Sequence, residues 1–113
     1  MITLYGIKNC STVAKANKFL INNNINYNFH DYKKLGVTQD LVTLFINEFT
    51  WQKVINAKGT TYRKLTDEQK PTNAAEAIKI ALANPSIIKR PIIFSDKHKI
   101  LGFAEMEYLK LLS

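Results

Sequence analysis

The first thirty residues are MITLYGIKNCSTVAKANKFLINNNINYNFH (residues 1–30), and their pattern predicts a βαβ unit. Residues 2–5 are apolar or β-branched, which is typical of a short strand. Ser11 or Thr12 is a suitable cap for the helix that follows, and a run of asparagines ends that helix. Residues 25–30 alternate apolar and polar side chains and predict a second strand. Two strands joined through one helix are expected to be parallel, with a right-handed connection.

The middle of the chain predicts a block of helices. Thr38 is a suitable cap for the first long one. Its buried stripe is expected to hold Leu41, Leu44, Phe45 and Phe49. Residues 51–55 form another short helix, and residues 57–61 a loop. An alanine-rich helix over residues 73–83 places Ala74, Ile78, Ala81 and Leu82 at helical spacing.

The C-terminal third predicts a β-hairpin and a last helix. Residues 91–94 are a short apolar run, typical of a strand buried on both faces, and residues 100–103 pair back with it. A helix over about residues 104–112 carries Met106, Leu109 and Leu112. The order β-α-β, helices, β-β-α predicts an α/β fold. We expect one domain over residues 1–113 with a helical insertion at approximately residues 36–86.

Composition excludes several classes of protein. Of the 113 residues, 46% are apolar and 22% charged, which is ordinary for a globular chain and unlike a disordered one. No apolar run approaches the roughly 20 residues that span a bilayer, and the N-terminus lacks a signal-peptide pattern. One cysteine and two histidines exclude a zinc site of four cysteines, or of two cysteines and two histidines. We expect a cytoplasmic protein with no metal and no bound cofactor.

The charge is strongly positive. Sixteen Lys and Arg against nine Asp and Glu give a net charge of +7, which favours anionic partners and raises the question of nucleic acid. The lysines are nevertheless spread singly or in pairs such as Lys33-Lys34, without a basic stripe interleaved with aromatics. A solvated lysine-rich surface is therefore the preferred interpretation, and we expect neither a nucleic-acid nor a membrane partner.

Cys10 is the main candidate for chemistry. It lies between the first strand and the first helix, where free N–H groups and the helix dipole stabilise a thiolate. The alternative is a small buried apolar side chain, but the neighbours Lys8, Asn9, Ser11 and Thr12 are polar. No second cysteine is present to resolve a mixed disulfide, so turnover would need an outside thiol such as glutathione.

Two further candidates lie elsewhere in the chain. Arg90 precedes Pro91 at the start of a predicted strand, and a guanidinium can bind a carboxylate or oxyanion through two hydrogen bonds. The Arg90–Pro91 bond is a candidate for the cis form, with trans as the commoner alternative. His30 ends the second strand, near the sheet edge expected for Cys10, and is either a partner of that cysteine or a surface histidine.

Five blocks of sequence resemble the ArsC/Spx family, and most closely its YffB-like branch. In chain order they are YGIKNCST (residues 5–12), HDYK (30–33), GTTYRKL (59–65), IKRPI (88–92) and LGF (101–103). The resemblance covers nearly the whole chain. It implies a thioredoxin-like fold with a four-stranded mixed sheet, Cys10 as the catalytic cysteine, Arg90 as an active-site arginine and Pro91 as a cis-proline.

The resemblance leaves three functions open. The YffB-like branch implies a glutathione-dependent thiol reductase, with glutathione or a thiol-carrying protein as partner. Arsenate reductases of the family have three active-site arginines, of which only Arg90 has a counterpart here. Asn56 falls at about the place of another, with Lys58 nearby, and Gly102 lies near the place of the third. Spx-like regulators bind RNA polymerase and usually carry a Cys-x-x-Cys pair, whereas Val13 stands at the second position here. The expected substrate-binding residues are Arg90, Pro91, Ser11, Thr12, Asn9 and Lys58.

Overall fold

A four-stranded mixed sheet organises the computed structural model, which describes residues 1–112. Its strands are β1 (Ile2–Gly6), β2 (Tyr27–Asp31), β3 (Ile92–Phe94) and β4 (Lys99–Leu101). The order across the sheet is β2-β1-β3-β4. The pair β1 and β2 is parallel, and β3 is antiparallel to both β1 and β4. The predicted α/β fold with a mixed sheet is confirmed, although β2 begins two positions later than the alternation indicated.

Seven α-helices lie within residues 1–112. They are α1 (Ser11–Asn22), α2 (Tyr32–Leu35), α3 (Gln39–Phe49), α4 (Trp51–Val54), α5 (Thr60–Arg63), α6 (Ala74–Ala83) and α7 (Glu105–Tyr108). Two 3-10 helices follow α6 and α7, at Pro85–Ile87 and Leu109–Leu112. The sequence pattern missed α2, and it assigned a loop to residues that begin α5.

The start of α1 differs from the prediction. The residue that caps it is Cys10, in extended conformation with φ −118° and ψ 126°, and not Ser11 or Thr12. The buried face of the helix is the predicted one: Val13, Ala16 and Leu20 are fully buried. Cys10 is still extended while Ser11 is already helical, so Ser11 and Thr12 lie within the first turn of the helix.

The chain divides into two compact units. The first comprises residues 1–32 with the chain from Arg90 onward, and the second comprises residues 33–89. The core of the first unit joins β1, α1, β3, β4 and α7; its buried members are Leu4, Val13, Ala16, Leu20, Ile93, Ile100 and Tyr108. That the chain forms one domain with an insertion over residues 36–86 stays a prediction.

The last helical segment buries a different face from the predicted one. Met106 is 83% exposed, and Leu109 and Leu112 are about half exposed. Tyr108 is fully buried instead, and Leu111 packs against the same core. Apolar residues lie on both sides of this segment, so their spacing alone does not identify the face that packs.

In the second unit, α3 also buries a different face from the predicted one. Thr38 caps this helix as predicted, accepting a hydrogen bond from the Leu41 N–H at 3.1 Å. Its buried residues are Val42, Phe45 and Ile46, however, while Leu44 is 46% exposed. In α6, Ala77 and Ala81 are buried, and the predicted Leu82 is exposed.

Candidate active site

Cys10 lies at the junction of a strand and a helix. β1 ends at Gly6, a short loop follows, and Cys10 caps α1 with its own carbonyl accepting from the Ala14 N–H at 2.9 Å. Its side chain is half-buried against the core of the first unit. The flanking Asn9 and Ser11 are exposed. The thiol is thus held by the fold on one side and open on the other.

The surroundings of Cys10 favour its thiolate. Burial raises the pKa of the thiol. The backbone N–H groups of Val13 and Thr12 and the side chain of Arg90 lower the pKa by more than burial raises it, so the net pKa falls below the ordinary value of 9.0. The side chain makes no capping hydrogen bond. The partial positive charge of the amides at the helix start nevertheless stabilises a negative charge on the sulfur. The reactive interpretation of Cys10 is therefore favoured over that of an inert apolar residue.

Arg90 carries a full positive charge that acts on the same sulfur. Hydrogen bonding by its guanidinium and Coulombic attraction both lower the pKa of Cys10. Arg90 comes immediately before Pro91 and β3, and β3 pairs with β1, the strand that leads to Cys10. The sheet therefore joins two residues that are distant in the sequence.

Pro91 follows in the same stretch of backbone. The Arg90–Pro91 peptide bond is cis, as the resemblance implied. The ring is buried, and the Pro91 carbonyl accepts a hydrogen bond from the Gly102 N–H at 2.7 Å. Gly102 has a φ of +82°, a conformation that favours glycine, at the position that the resemblance placed near a third arginine.

An aromatic group at the end of β2 was missed by the sequence analysis. Tyr32 is fully buried, and its hydroxyl forms no hydrogen bond within residues 1–112. Burial strongly raises its pKa, the nearby Tyr5 raises it further, and the Arg90 guanidinium acts in the opposite direction. A usable signal was present: Tyr32 directly follows β2, and the carboxyl ends of neighbouring parallel strands meet at one edge of the sheet.

His30 packs among these rings. Its imidazole lies against Tyr5, with ring centroids 5.1 Å apart, and against Tyr32, with centroids 6.2 Å apart. In the register of the sheet, His30 is the partner of Tyr5. These contacts favour a packing role for the imidazole over the Cys–His pair considered from the sequence.

Lys58 belongs to the second unit. It is exposed, in the turn after α4, and its backbone N–H donates to Asn56 Oδ1 at 3.3 Å. The structure thus brings Cys10, Thr12, Arg90 and Pro91 together within the first unit. A role for Lys58 at that site stays a prediction.

Residues 1–112 show neither a cluster of metal ligands nor a membrane-spanning helix. No group of three or more His, Cys, Asp or Glu side chains in this range is arranged to hold a metal ion. Within the same residues, every helix is too short or too polar to cross a membrane.

Fold and site together define an α/β protein of thioredoxin-like type with one cysteine at the start of its first helix. The chain belongs to the ArsC family, whose model matches residues 5–111. A Haemophilus influenzae protein described as uncharacterized is 41% identical over 109 residues, covering 96% of each chain. The solved structure of a YffB protein superposes with a TM-score of 0.95 at 39% identity, covering all of both chains. The global transcriptional regulator Spx of Streptococcus pyogenes serotype M1 is 25% identical over 115 residues, covering 100% of this chain and 86% of the regulator.

Proposed function

We propose that this chain is a glutathione-dependent thiol–disulfide reductase that works through the single nucleophile Cys10. The observation that carries the proposal is the position of Cys10, which is half-buried at the start of α1, where the first amides of the helix and Arg90 lower the pKa of its thiol. A thiolate is the attacking species in thiol–disulfide exchange. Membership of the arsenate reductase-like family and the similarity to the YffB structure support this class of chemistry.

The reaction has two exchange steps. In the first, the Cys10 thiolate attacks the glutathionyl sulfur of a mixed disulfide. The bond to the substrate sulfur breaks, and the substrate leaves as a thiolate that takes a proton from solvent. In the second, the thiolate of a free glutathione attacks the glutathionyl sulfur now bound to Cys10. Oxidised glutathione leaves, and the Cys10 thiolate is restored.

A lowered pKa assists the second step as well as the first. The leaving thiolate departs faster when its pKa is lower, and Cys10 is the leaving group when glutathione attacks. Val13 occupies the place of a second cysteine and is fully buried in the core. Since Cys10 is the only cysteine in the sequence, release of the mixed disulfide depends on an external thiol.

Substrate binding is assigned to the groups around Cys10. Arg90 would bind a carboxylate of glutathione or of the substrate, in addition to its contact with the sulfur. Asn9, Ser11 and Thr12 would offer hydrogen bonds beside the helix start. The backbone next to Pro91 would hold an extended cysteinyl segment through strand-like hydrogen bonds. The proposal places the protein in the cytoplasm, where thiols are kept reduced.

The proposal is tested by turnover of the mixed disulfide of glutathione and 2-mercaptoethanol. The assay contains glutathione, glutathione reductase and NADPH, and NADPH oxidation reports oxidised glutathione. We expect catalysis by the wild-type protein and background rates for Cys10→Ser. Equal rates for the two proteins would overturn the proposal. Arsenate supplied as substrate in the same assay tests arsenate reduction; since only Arg90 corresponds to the three family arginines, we expect no arsenate-dependent rate.

A second candidate is a regulator that binds RNA polymerase. The full-length similarity to Spx regulators favours it. This function would not require the nucleophile, so Cys10→Ser would bind polymerase as well as the wild-type protein does. Co-purification of both proteins with RNA polymerase, measured beside the turnover assay, separates regulation from catalysis.

A further inference from the structure

Two consecutive hydrogen bonds connect the last α-helix to the backbone beside Arg90. The Tyr108 hydroxyl donates to the Gly102 carbonyl at 3.1 Å. The Gly102 N–H in turn donates to the Pro91 carbonyl at 2.7 Å. Pro91 is bonded directly to Arg90, whose side chain reaches the sulfur of Cys10. The chain of contacts therefore runs from α7 to the candidate nucleophile within the first unit.

Gly102 is the residue in this connection whose backbone conformation can change most easily. Its φ is +82°, and a Cβ placed there would meet no atom within 4 Å. A residue without a side chain has access to many backbone conformations. A side chain would therefore meet open space here, and the two hydrogen bonds on the Gly102 N–H and carbonyl restrain its backbone.

Tyr108 is well suited to hold Gly102 in its observed conformation. The side chain is fully buried, and its ring packs edge-on against Phe103 and Phe19, with centroids 4.7 and 5.7 Å apart. Burial also raises the pKa of the hydroxyl, so the proton that it donates is retained at every physiological pH. The hydroxyl is thus a fixed donor on a rigid support.

We propose that Tyr108 is a positioning residue for the Cys10–Arg90 site and acts through Gly102 and Pro91. Loss of the hydroxyl removes the donor from the Gly102 carbonyl and allows Gly102 to change conformation. The Gly102 N–H then no longer holds the Pro91 carbonyl, and the backbone that carries the Arg90 guanidinium loses a restraint. The role rests on the proposed function, because it matters only if Arg90 stabilises the Cys10 thiolate.

The test is the pH dependence of Cys10 alkylation by iodoacetamide in Tyr108→Phe. This variant keeps the ring and removes only the hydroxyl. The matched control is Tyr27→Phe. It removes a partly buried hydroxyl of the same unit, which donates to Asn17 Oδ1 at 2.8 Å. We expect the midpoint of Tyr108→Phe to rise by roughly half a pH unit, which is about a threefold slower reaction below the midpoint. Tyr27→Phe is expected to keep the wild-type midpoint.

Gly102→Ala disturbs the same connection at Gly102 itself. A side chain is disfavoured at its positive φ, so the midpoint should rise in this variant too. A wild-type midpoint in Tyr108→Phe would overturn the role of Tyr108, as would an equal rise in Tyr27→Phe. If Arg90→Ala raises the midpoint while Tyr108→Phe does not, the positioning role fails and the Cys10–Arg90 contact stands. If Arg90→Ala also leaves the midpoint unchanged, the basis of the proposed function fails with it.

Discussion

The Arg90 guanidinium acts on the sulfur of Cys10 and lowers the pKa of the thiol, so it connects the residue before the buried cis-proline to the residue that caps α1. The amides of a helix start provide only partial charges, whereas a guanidinium provides a full one. The half-buried position of Cys10 strengthens both effects, because the field of a charge is less screened away from water.

Replacing Arg90 with alanine removes a hydrogen bond and a positive charge from the sulfur. The Cys10 pKa should therefore rise, and alkylation of Arg90→Ala should need a higher pH than alkylation of the wild-type protein. Arg90→Lys keeps the charge and loses the planar donor group, so its midpoint should lie between the two. Measured rates of iodoacetamide reaction against pH check the order. Identical midpoints for all three proteins would show that Arg90 does not act on the thiolate.

The stability of the fold should depend on pH through Cys10. Because the pKa of Cys10 is lowered in the folded protein, ionisation of the thiol favours folding. This contribution is complete above the ordinary value of 9.0 and is lost as the pH falls through the folded pKa. The free energy of unfolding of the wild-type protein, minus that of Cys10→Ser, should rise with pH across this window. Denaturant titrations at a series of pH values measure it, and a constant difference would contradict the lowered pKa.

Gly6 permits β1 and α1 to approach closely. A Cβ at position 6 would lie 2.8 Å from Val13 Cγ2 and 3.3 Å from Val13 Cγ1, and both positions are buried. Gly6→Ala should therefore lower the free energy of unfolding by roughly 1–3 kcal/mol, the usual cost of overpacking. In a Val13→Ala background the same substitution should cost less. A double-mutant cycle by chemical denaturation checks this, and an equal cost in both backgrounds would exclude the steric cause.

Tyr32 and Tyr108 should respond oppositely to loss of the hydroxyl. The Tyr32 hydroxyl is buried without a hydrogen bond to residues 1–112, so its desolvation is not offset by a protein partner. Tyr32→Phe should leave the free energy of unfolding unchanged or raise it by up to about 1 kcal/mol. Tyr108→Phe loses a donor to Gly102 and should lower that free energy by about 1 kcal/mol. A comparable loss in both variants would mean that the Tyr32 hydroxyl is satisfied in solution.

The sequence predicted the sheet and the location of the cysteine more reliably than the packed faces of the helices. Val13, Ala16 and Leu20 form a single apolar stripe on α1, so their burial could be predicted. In α3 and the last helical segment, apolar residues occupy more than one face. The choice of Val42 over Leu44, or of Tyr108 over Met106, depends on neighbours that spacing does not reveal.

The candidate site was predictable in its parts and less so in its contacts. The strand–loop–helix pattern indicated a stabilised thiolate at Cys10, and the resemblance indicated Arg90 and Pro91. The hydrogen bond between Arg90 and Cys10 depends on the pairing of β1 with β3, which local patterns do not specify. The connection through Gly102 to Tyr108 involves a backbone conformation and one hydroxyl, and neither has a sequence signature of its own.

The most direct measurement is the rate of Cys10 alkylation by iodoacetamide against pH in the wild-type protein. Cys10 is the only thiol in the chain, so the profile reports a single group. A stabilised thiolate predicts a rate whose midpoint lies below pH 9.0, the ordinary cysteine pKa. A midpoint at or above that value would identify an ordinary or buried thiol, and would contradict the assignment of Cys10 as the nucleophile of a reductase.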